Sequence, residues 1–575
     1  MNLRSSLLAA IALLAAAPLT AQAVQFDPAR LTQHVRTLSA DSFEGRAPAT
    51  AGEAKTVAYL TDQFAKVGLQ PGGEVVNGKR QWTQRVPLLK SDIAGTPNLE
   101  FRTPAGAVPL TQGEQIAVRA PLTGQKQVAV NGAPVLFAGY GVTAPERQWD
   151  DFKDVDVRGK VIVVLVNDPD FEGGEGDFGG KAMTYYGRWT YKYEEAARRG
   201  AAGVLVVHET EPASYGWATV KNSNTNTMFD IVRQNPASAH APIEGWIQRE
   251  LAVRLFRDAG LDFDQAKATA RRRDFRPVDL KASFTAHVNA ATEVITSYNV
   301  VGILPGTRRP EETVIYTAHH DHLGIGQPDA NGDRIFNGAV DNATGTAHLI
   351  EQARAFARRP RTERSVVFLA VGAEEKGLLG SEYYAANPLY PLARTVAVIN
   401  TDSMGVYGPA RNFSVSGSVE HDLLDMLIDH GRRQGRSFSP DPRPEAGLFF
   451  RSDHFPFAKE GVPAISFRPG NDLVNGGLAR GNAIIADYTA KRYHQPDDEF
   501  DPSWDFSGMV QDAQLLHGLG YSLANSSAWP TYRPGSEFRA ARDASASVRG
   551  GPATPPATPA PQPVPPPPPQ PGERG

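Results

Sequence analysis

Three apolar runs in this 575-residue chain end in groups that bind metals or move protons. Thr313–Ala318 runs into His319-His320-Asp321-His322, Ser365–Val371 into Gly372-Ala373-Glu374-Glu375, and Thr395–Ile399 into Asn400-Thr401-Asp402. Two further stretches add to the set. One is the loop Asn337-Gly338-Ala339-Val340-Asp341-Asn342-Ala343-Thr344-Gly345, and the other is Tyr493-His494-Gln495-Pro496-Asp497-Asp498 late in the chain. These residue types suit a pair of divalent ions, which need one bridging carboxylate plus one imidazole and one further carboxylate each. In that assignment Asp341 bridges, His319 and Asp402 hold one zinc, and Glu375 and His494 hold the other. Asp321 lies two residues from His319 on the same strand face, and is expected to accept the other ring N–H and fix the tautomer. Glu374 is beside a ligand without being one. It is placed to take a proton from the attacking water and return it to a leaving amine.

For these groups to meet, the runs that carry them must lie side by side. From Tyr298 onward strands and helices alternate. The strand candidates are Asn299–Leu304, Thr313–Ala318, Ser365–Val371, Thr395–Ile399 and Val462–Phe467, with helix candidates at Gly345–Arg358 and Leu423–His430. This alternation predicts an α/β domain with a central sheet, whose sites collect at the carboxyl ends of the strands. An earlier helix is expected over residues 50–68, with Thr50 and Glu53 as a capping box and Gly68 closing it. From about residue 119 the texture changes to short β-like runs such as Lys160–Val166 and Gly203–Val207, with a helix-like stretch around Tyr191–Arg199. Residues 119–285 are therefore read as a β-rich insert. It divides the main domain into an N-terminal part, 24–118, and a larger part, 286–530.

Residues 1–23 have a basic start, an apolar run from Leu7 to Leu19 and an Ala21-Gln22-Ala23 ending. That is the pattern of a cleaved export signal, so a periplasmic or extracellular location is expected. No stretch is long and apolar enough for a membrane span. Residues 531–575 are expected to form a Pro-rich tail without fixed structure, because residues 550–575 hold 12 of the chain's 45 prolines. Charge nearly cancels, with 59 basic against 63 acidic residues, which excludes an electrostatic footprint for nucleic acid. There is no cysteine, so disulfides, thiol nucleophiles and Cys-ligated metals are excluded, and any metal is held by His, Asp and Glu.

Taken with Ser452-Asp453-His454 and the Val340-Asp341-Asn342-Ala343-x-Gly345 loop, this set and its order resemble the M28 family of zinc exopeptidases, over about residues 30–118 and 286–525. The opening Asp41-Ser42-Phe43-Glu44-Gly45-Arg46 resembles the lead-in of secreted members. The insert, with Gly139-Tyr140-Gly141 and Gly159-Lys160-Val161, resembles the protease-associated (PA) domain often carried there. The resemblance implies a mixed, largely parallel central sheet flanked by helices, plus an inserted β-rich PA-like domain. It also implies two Zn2+ per chain, a cis peptide bond after Asp341, and release of N-terminal residues from peptides with a free N-terminus. Some family aminopeptidases carry a tyrosine shortly before Ser-Asp-His to stabilise the oxyanion. Here that stretch is Gly447-Leu448-Phe449-Phe450-Arg451, which leaves Tyr407, Tyr493, Arg451 or the metals themselves for the task. The alternatives are a carboxypeptidase of the same family, for which Arg451 and Arg468 are candidate contacts to acidic residues, a single-zinc cyclase of N-terminal glutamine, or a non-catalytic binding protein that uses the PA-like insert.

Other motifs read more plainly. His320 should point away from His319 and pack, His322 should line the rim, and His454 should be packed or hydrogen-bonded. Gly174-Glu175-Gly176-Asp177-Phe178-Gly179 has the spacing of a dinucleotide loop, but its acids would repel a pyrophosphate. Asp329-x-Asn331-x-Asp333 lacks the glycine and the distal carboxylate of a calcium loop. Arg271-Arg272-Arg273 reads as a solvated surface.

Overall fold

Every residue of strands Arg364–Val371 and Thr395–Thr401 is buried, which is why each carries a continuous apolar stretch, residues 366–371 and 396–399. In the computed structural model, which describes residues 25–173, 176–418 and 420–549, these strands form the centre of a large sheet. Arg309–His319 pairs in parallel with both, and Thr395–Thr401 pairs in parallel with Ala464–Pro469. Antiparallel strands close the sides. Asn412–Val415 lies against Ala464–Pro469, and the long strand Val278–Leu304 against Arg364–Val371. Beyond it come Thr83–Ile93 and then Met228–Ile231. Four of the five expected strands of this domain fall within these elements, and the fifth, Val462–Phe467, overlaps Ala464–Pro469, which starts two residues later.

Alternate residues of the central strands serve two cores. Val314, Tyr316 and Ala318, with Val366, Phe368 and Ala370, face the helices Pro28–Leu38, Ala51–Val67, Gly345–Ala357 and Ser507–Ala524. Ile315, Val367, Leu369 and Val398 face the other way, towards Tyr384 and Phe457. Caps stand at both ends of helix Ala51–Val67 where its sequence predicts, but Glu53 accepts from the Ala49 amide rather than closing a box onto Thr50. Thr50 accepts from the Glu53 amide at 3.3 Å, and Gly68 ends it at φ 93°. Glu53 then reaches across to accept from the Tyr298 amide, tying the N-terminal segment to the sheet.

The insert forms a second sheet. Gln127–Phe137, Val161–Leu165, Gly203–His208 and Ile243–Gln248 pair in parallel in that order. Asn98–Thr103 and Gln127–Phe137 pair with the first half of Val278–Leu304, and Ile116–Val118 with Ile243–Gln248. The second sheet therefore recruits residues from Asn98 onward, about twenty before the expected boundary. Val278–Leu304 runs through position 285 without a break and belongs to both sheets. Its alternation of Leu280, Ala282, Phe284, Ala286, Val288 and Ala290 on the buried side continues past that boundary.

The expected tail is corrected for its first part. Residues 531–549 are packed: Tyr532 is fully buried and donates to the carbonyl of Val462, and Arg542 donates to the carbonyls of Pro530, Thr395 and Val396. The expected export signal, the Pro-rich end from residue 550, and Gly174-Glu175 lie outside the described residues. Among the described residues no helix is long and apolar enough to cross a membrane.

Candidate metal centre

The three central strands end side by side, so His319, Glu374-Glu375 and Asp402 arrive on one rim. The loop between Asn337 and Gly345 crosses above them with Asp341 at its apex, and the turn after helix Gly477–Lys491 brings His494. His319 Nε2 stands 3.3 Å from Asp341 Oδ1 and 3.4 Å from Asp402 Oδ1. His494 Nε2 stands 3.3 Å from the other Asp341 oxygen and 3.2 Å from Glu375 Oε2. Asp341 thus presents one oxygen to each histidine. Ligand-capable atoms of His319, Asp341 and Glu375 lie within 4.8 Å of one another, as do those of His319, Glu374 and Asp402.

These spacings test the fit of a metal. Direct N–H···O bonds cluster near about 2.9 Å. Two ligands on one tetrahedral zinc, at bonds of about 2.0–2.2 Å, stand about 3.4 Å apart. The four N···O distances of 3.2–3.4 Å match shared ligation better than direct bonding. The charge balance agrees. Asp321, Asp341, Glu374, Glu375, Asp402, Asp453 and Asp498 surround three imidazoles and the buried guanidinium of Arg46, a surplus of negative charge that cations would offset. In this surplus His319 is held well above the ordinary histidine value: burial opposes its charge, but Glu374, Asp341 and Asp402 outweigh burial. Burial and the neighbouring carboxylates of Glu375, Asp453 and Asp402 push Glu374 well up, against the pull of His319.

The backbone around these groups is fixed by side chains that reach between loops. Asn342 donates to the carbonyls of His319 and Thr401 and accepts from the amides of Gly345 and Ser403. It thereby joins two strand ends to the loop that carries Asp341. A Cβ at Gly345 would stand 2.2 Å from Asn342 Oδ1 and 2.6 Å from the carbonyl of Thr401, so only glycine allows this approach. The Asp341–Asn342 peptide bond is cis. Three non-glycine residues in the site's turns have left-handed backbones: Ala373 at φ 57°, Ser403 at φ 56° and His494 at φ 58°. Strain of this kind gathers where side chains are aimed for function.

Asp321 does not do what its spacing predicts. Its carboxylate stands 3.8 Å from His319 Nδ1, beyond hydrogen-bond reach, and accepts from the amides of Glu374 and Glu375 at 3.0 and 3.3 Å. The atom nearer to Nδ1 is the Asp321 carbonyl, at 3.3 Å. Asp321 therefore shapes the turn that carries Glu374 and Glu375. His320 packs as expected, bonded to the carbonyl of Tyr298, and burial lowers it to about 4. His454 is buried against the ring of Phe449. Of the candidate oxyanion donors, Arg451 turns away towards Ser214 and the carbonyl of Ala446. Tyr493 stays beside the centre, stacked on His494 at 3.9 Å.

Several supporting residues escape a reading of the sequence. His322 is fully buried rather than on the rim, with Nδ1 2.7 Å from Glu375 Oε1. Ser452 donates to Asp402 at 2.8 Å. Asp498 accepts from the amides of Val340 and Asp341 and from the hydroxyl of Tyr488. Arg46 donates to the carbonyls of Leu38, His320, Asn337 and Gly338. The only advance signals were the positions of His322, Ser452 and Asp498 within the motifs and the Asp41–Arg46 lead-in.

The sequence model of peptidase family M28 matches residues 299–516. The mouse protein "Aminopeptidase NAALADL1" is 39% identical over 123 residues, 20% of this chain and 15% of the relative. A probable zinc metalloprotease of Leptosphaeria maculans is 35% identical over 205 residues, 30% of this chain and 47% of the relative. The chain thus spans less than half the length of these relatives. The solved aminopeptidase from Aneurinibacillus sp. strain AM-1 is 18% identical with a TM-score of 0.46, covering 88% of this chain and 95% of that one. All seven expected site residues, from His319 to His494, fall inside residues 299–516, the segment that matches the model of peptidase family M28.

Proposed function

We propose that the protein is a two-zinc aminopeptidase, exported from the cell, that removes N-terminal residues from peptides. One observation carries this reading: Asp341 offers its two oxygens to two different histidines, each paired with a further carboxylate, at spacings suited to ligands of shared cations. His319 and Asp402 would hold one ion, Glu375 and His494 the other, with Asp341 between. Two dications there would supply a Lewis acid for the scissile carbonyl and make the attacking water more acidic. Glu374, desolvated and within reach of the same pocket, is the general base. It takes the proton of the attacking water and delivers it to the amine that leaves, so that proton transfer needs no other group. Asp321, through the two amides it holds, keeps Glu374 and Glu375 on adjacent sides of the centre. Tyr493 is the candidate donor to the oxyanion.

The insert is read as a PA-like domain that roofs the site. Tyr185 in the insert packs against Phe450, Phe455 and Phe538 of the peptidase side, at ring separations of 5.1–6.5 Å. A roof of this kind favours short, unfolded peptides as substrates.

The test is hydrolysis of aminoacyl-anilides beside N-acetylated and carboxyl-end peptide substrates, with protein as purified, stripped by chelator and restored with zinc. Cleavage confined to free-amine substrates, lost on stripping and regained with zinc, is expected. Cleavage from the carboxyl end would overturn the substrate class. Activity that survives stripping would overturn the metal mechanism.

A further inference from the structure

Helix Gly477–Lys491 ends three residues before His494, yet it has one buried residue of its own, Gly481. Gly477, Ile484 and Tyr488 are half-buried beside it, and the helix's other residues are all exposed. At about 3.6 residues per turn these four lie on one side, so a single narrow face meets the protein. The contact there is close. A Cβ at Gly481 would stand 2.0 Å from the carbonyl of Asn471, and the Tyr488 hydroxyl donates to Asp498 at 3.2 Å. A helix of this length is marginal in water unless packing supports it.

The outward side is not the polar face that a surface helix ordinarily turns to water. Among the described residues ten large apolar side chains are exposed, and four of them lie in or beside this helix. They are Val474, Leu478, Ile485 and Tyr493, at 36–52% exposure. Such clustering marks a surface that another molecule covers. Opposite the buried face, Ala483 and Ala486 point straight out. Leu478 and Ile485 follow one edge of that outward side, and Arg480 and Asp487 follow the other.

The charged edge selects the occupant. Arg480 and Asp487 stand two turns apart, so this edge is positive towards its start and negative towards its end. Turned end for end by a two-fold axis, it complements itself: Arg480 of one copy meets Asp487 of the other, twice. Within one copy Asp487 pairs with Lys491 one turn further on, and Arg480 donates to the carbonyl of Asn475 at 2.9 Å. All four residues are exposed, so these bonds are weak enough to be exchanged.

We infer that the outward face of helix Gly477–Lys491 pairs with the same face of a second copy of this chain, the two helices antiparallel about a two-fold axis. Ala483 and Ala486 let the backbones approach, while Leu478 and Ile485 cover the edge away from the charges. The inference does not depend on the peptidase reading. One helix per copy is a contact at the small end of interfaces, so the pair forms in an equilibrium that follows concentration.

Sedimentation equilibrium of the full chain tests it, and the mass is expected to rise from one chain towards two with concentration. Arg480→Glu sets like charges against each other twice, as does Asp487→Arg. Each should raise the dissociation constant about tenfold or more. The double variant Arg480→Glu with Asp487→Arg restores the match and should recover most of the association, which a mere change in helix stability would not do. Ala486→Glu should keep the chain monomeric. These positions are exposed, so the fold of each copy is kept. A wild type that stays monomeric at its highest soluble concentration would overturn the pairing. So would a dimer indifferent to the three single substitutions, or a double variant weaker than either charge reversal alone. If the chain is monomeric throughout and the same substitutions abolish binding to phosphatidylglycerol vesicles or lower kcat/KM for peptides, the face belongs to a membrane surface or to substrate, and the pairing is equally overturned.

Discussion

The Nδ1 atom of His322 stands 2.7 Å from Oε1 of Glu375, with both side chains buried, while the other oxygen of Glu375 faces His494. One oxygen is thereby fixed by the protein and the other is left for a cation.

From this, His322→Ala should weaken the metal bound by Glu375 and His494 by 10-fold to 100-fold, as loss of a group orienting a ligand does. Zinc titration against a competing chelator checks it. Two sites of unchanged affinity would mean that His322 only fills space.

Glu374→Gln should keep the metal content of the wild type while kcat falls by 100-fold to 10,000-fold, the usual contribution of a general base. Metal analysis and steady-state kinetics on one preparation decide it. A variant that loses metal as well as turnover would make Glu374 a ligand.

His240 carries a pH dependence of stability away from the site. Its Nε2 lies 2.8 Å from Asp230 on the strand Met228–Ile231, and its Nδ1 3.2 Å from Glu244 on Ile243–Gln248, so it links the two sheets. Burial opposes its charge, but the two carboxylates outweigh burial and push it up to about 9, with Arg233 on Asp230 and Arg119 on Glu244 completing the cluster. Because the folded value lies above the ordinary 6.5, the stabilisation is fully present below pH 6.5. It is lost as pH rises to about 9, a change on the order of 3 kcal/mol. Thermal unfolding from pH 6 to 9.5 should show this loss in the wild type and little of it in His240→Gln. Parallel curves would remove His240 from the account.

A chain ending at residue 530 should melt roughly 10 °C below one ending at 549, since it lacks a buried aromatic and leaves carbonyls unpaired. Calorimetry of the two proteins compares them directly. Equal melting would show that Tyr532 and Arg542 add nothing to the fold.

What could be read in advance followed from local pattern. His319, Glu375 and Asp402 were legible because each ends an apolar run, and sheet strands present their ends together. His322, Asn342, Ser452 and Arg46 were not legible in their roles, because those roles consist of bonds to main-chain groups or to residues tens to hundreds of positions away. Asp321 was assigned to the wrong partner for the same reason: alternation along a strand tells which face a side chain takes, not which amides curl back to meet it. The second sheet was placed too late because Asn98–Thr103 and Ile116–Val118 are short and flanked by Gly and Pro. The end of the chain was read by its prolines, although Tyr532 and Phe538 already offered apolar surface to bury.

The strand Val278–Leu304 makes the two sheets a single beam. For the insert to swing aside, this strand would have to bend between its ladder with Asn98–Thr103 and its ladder with Thr83–Ile93, and the ring packing around Tyr185 would have to open. In the proposed enzyme the opening over the site is accordingly a gauge cut into the backbone rather than a door on a hinge, and peptides are sorted by calibre before any side chain reads them.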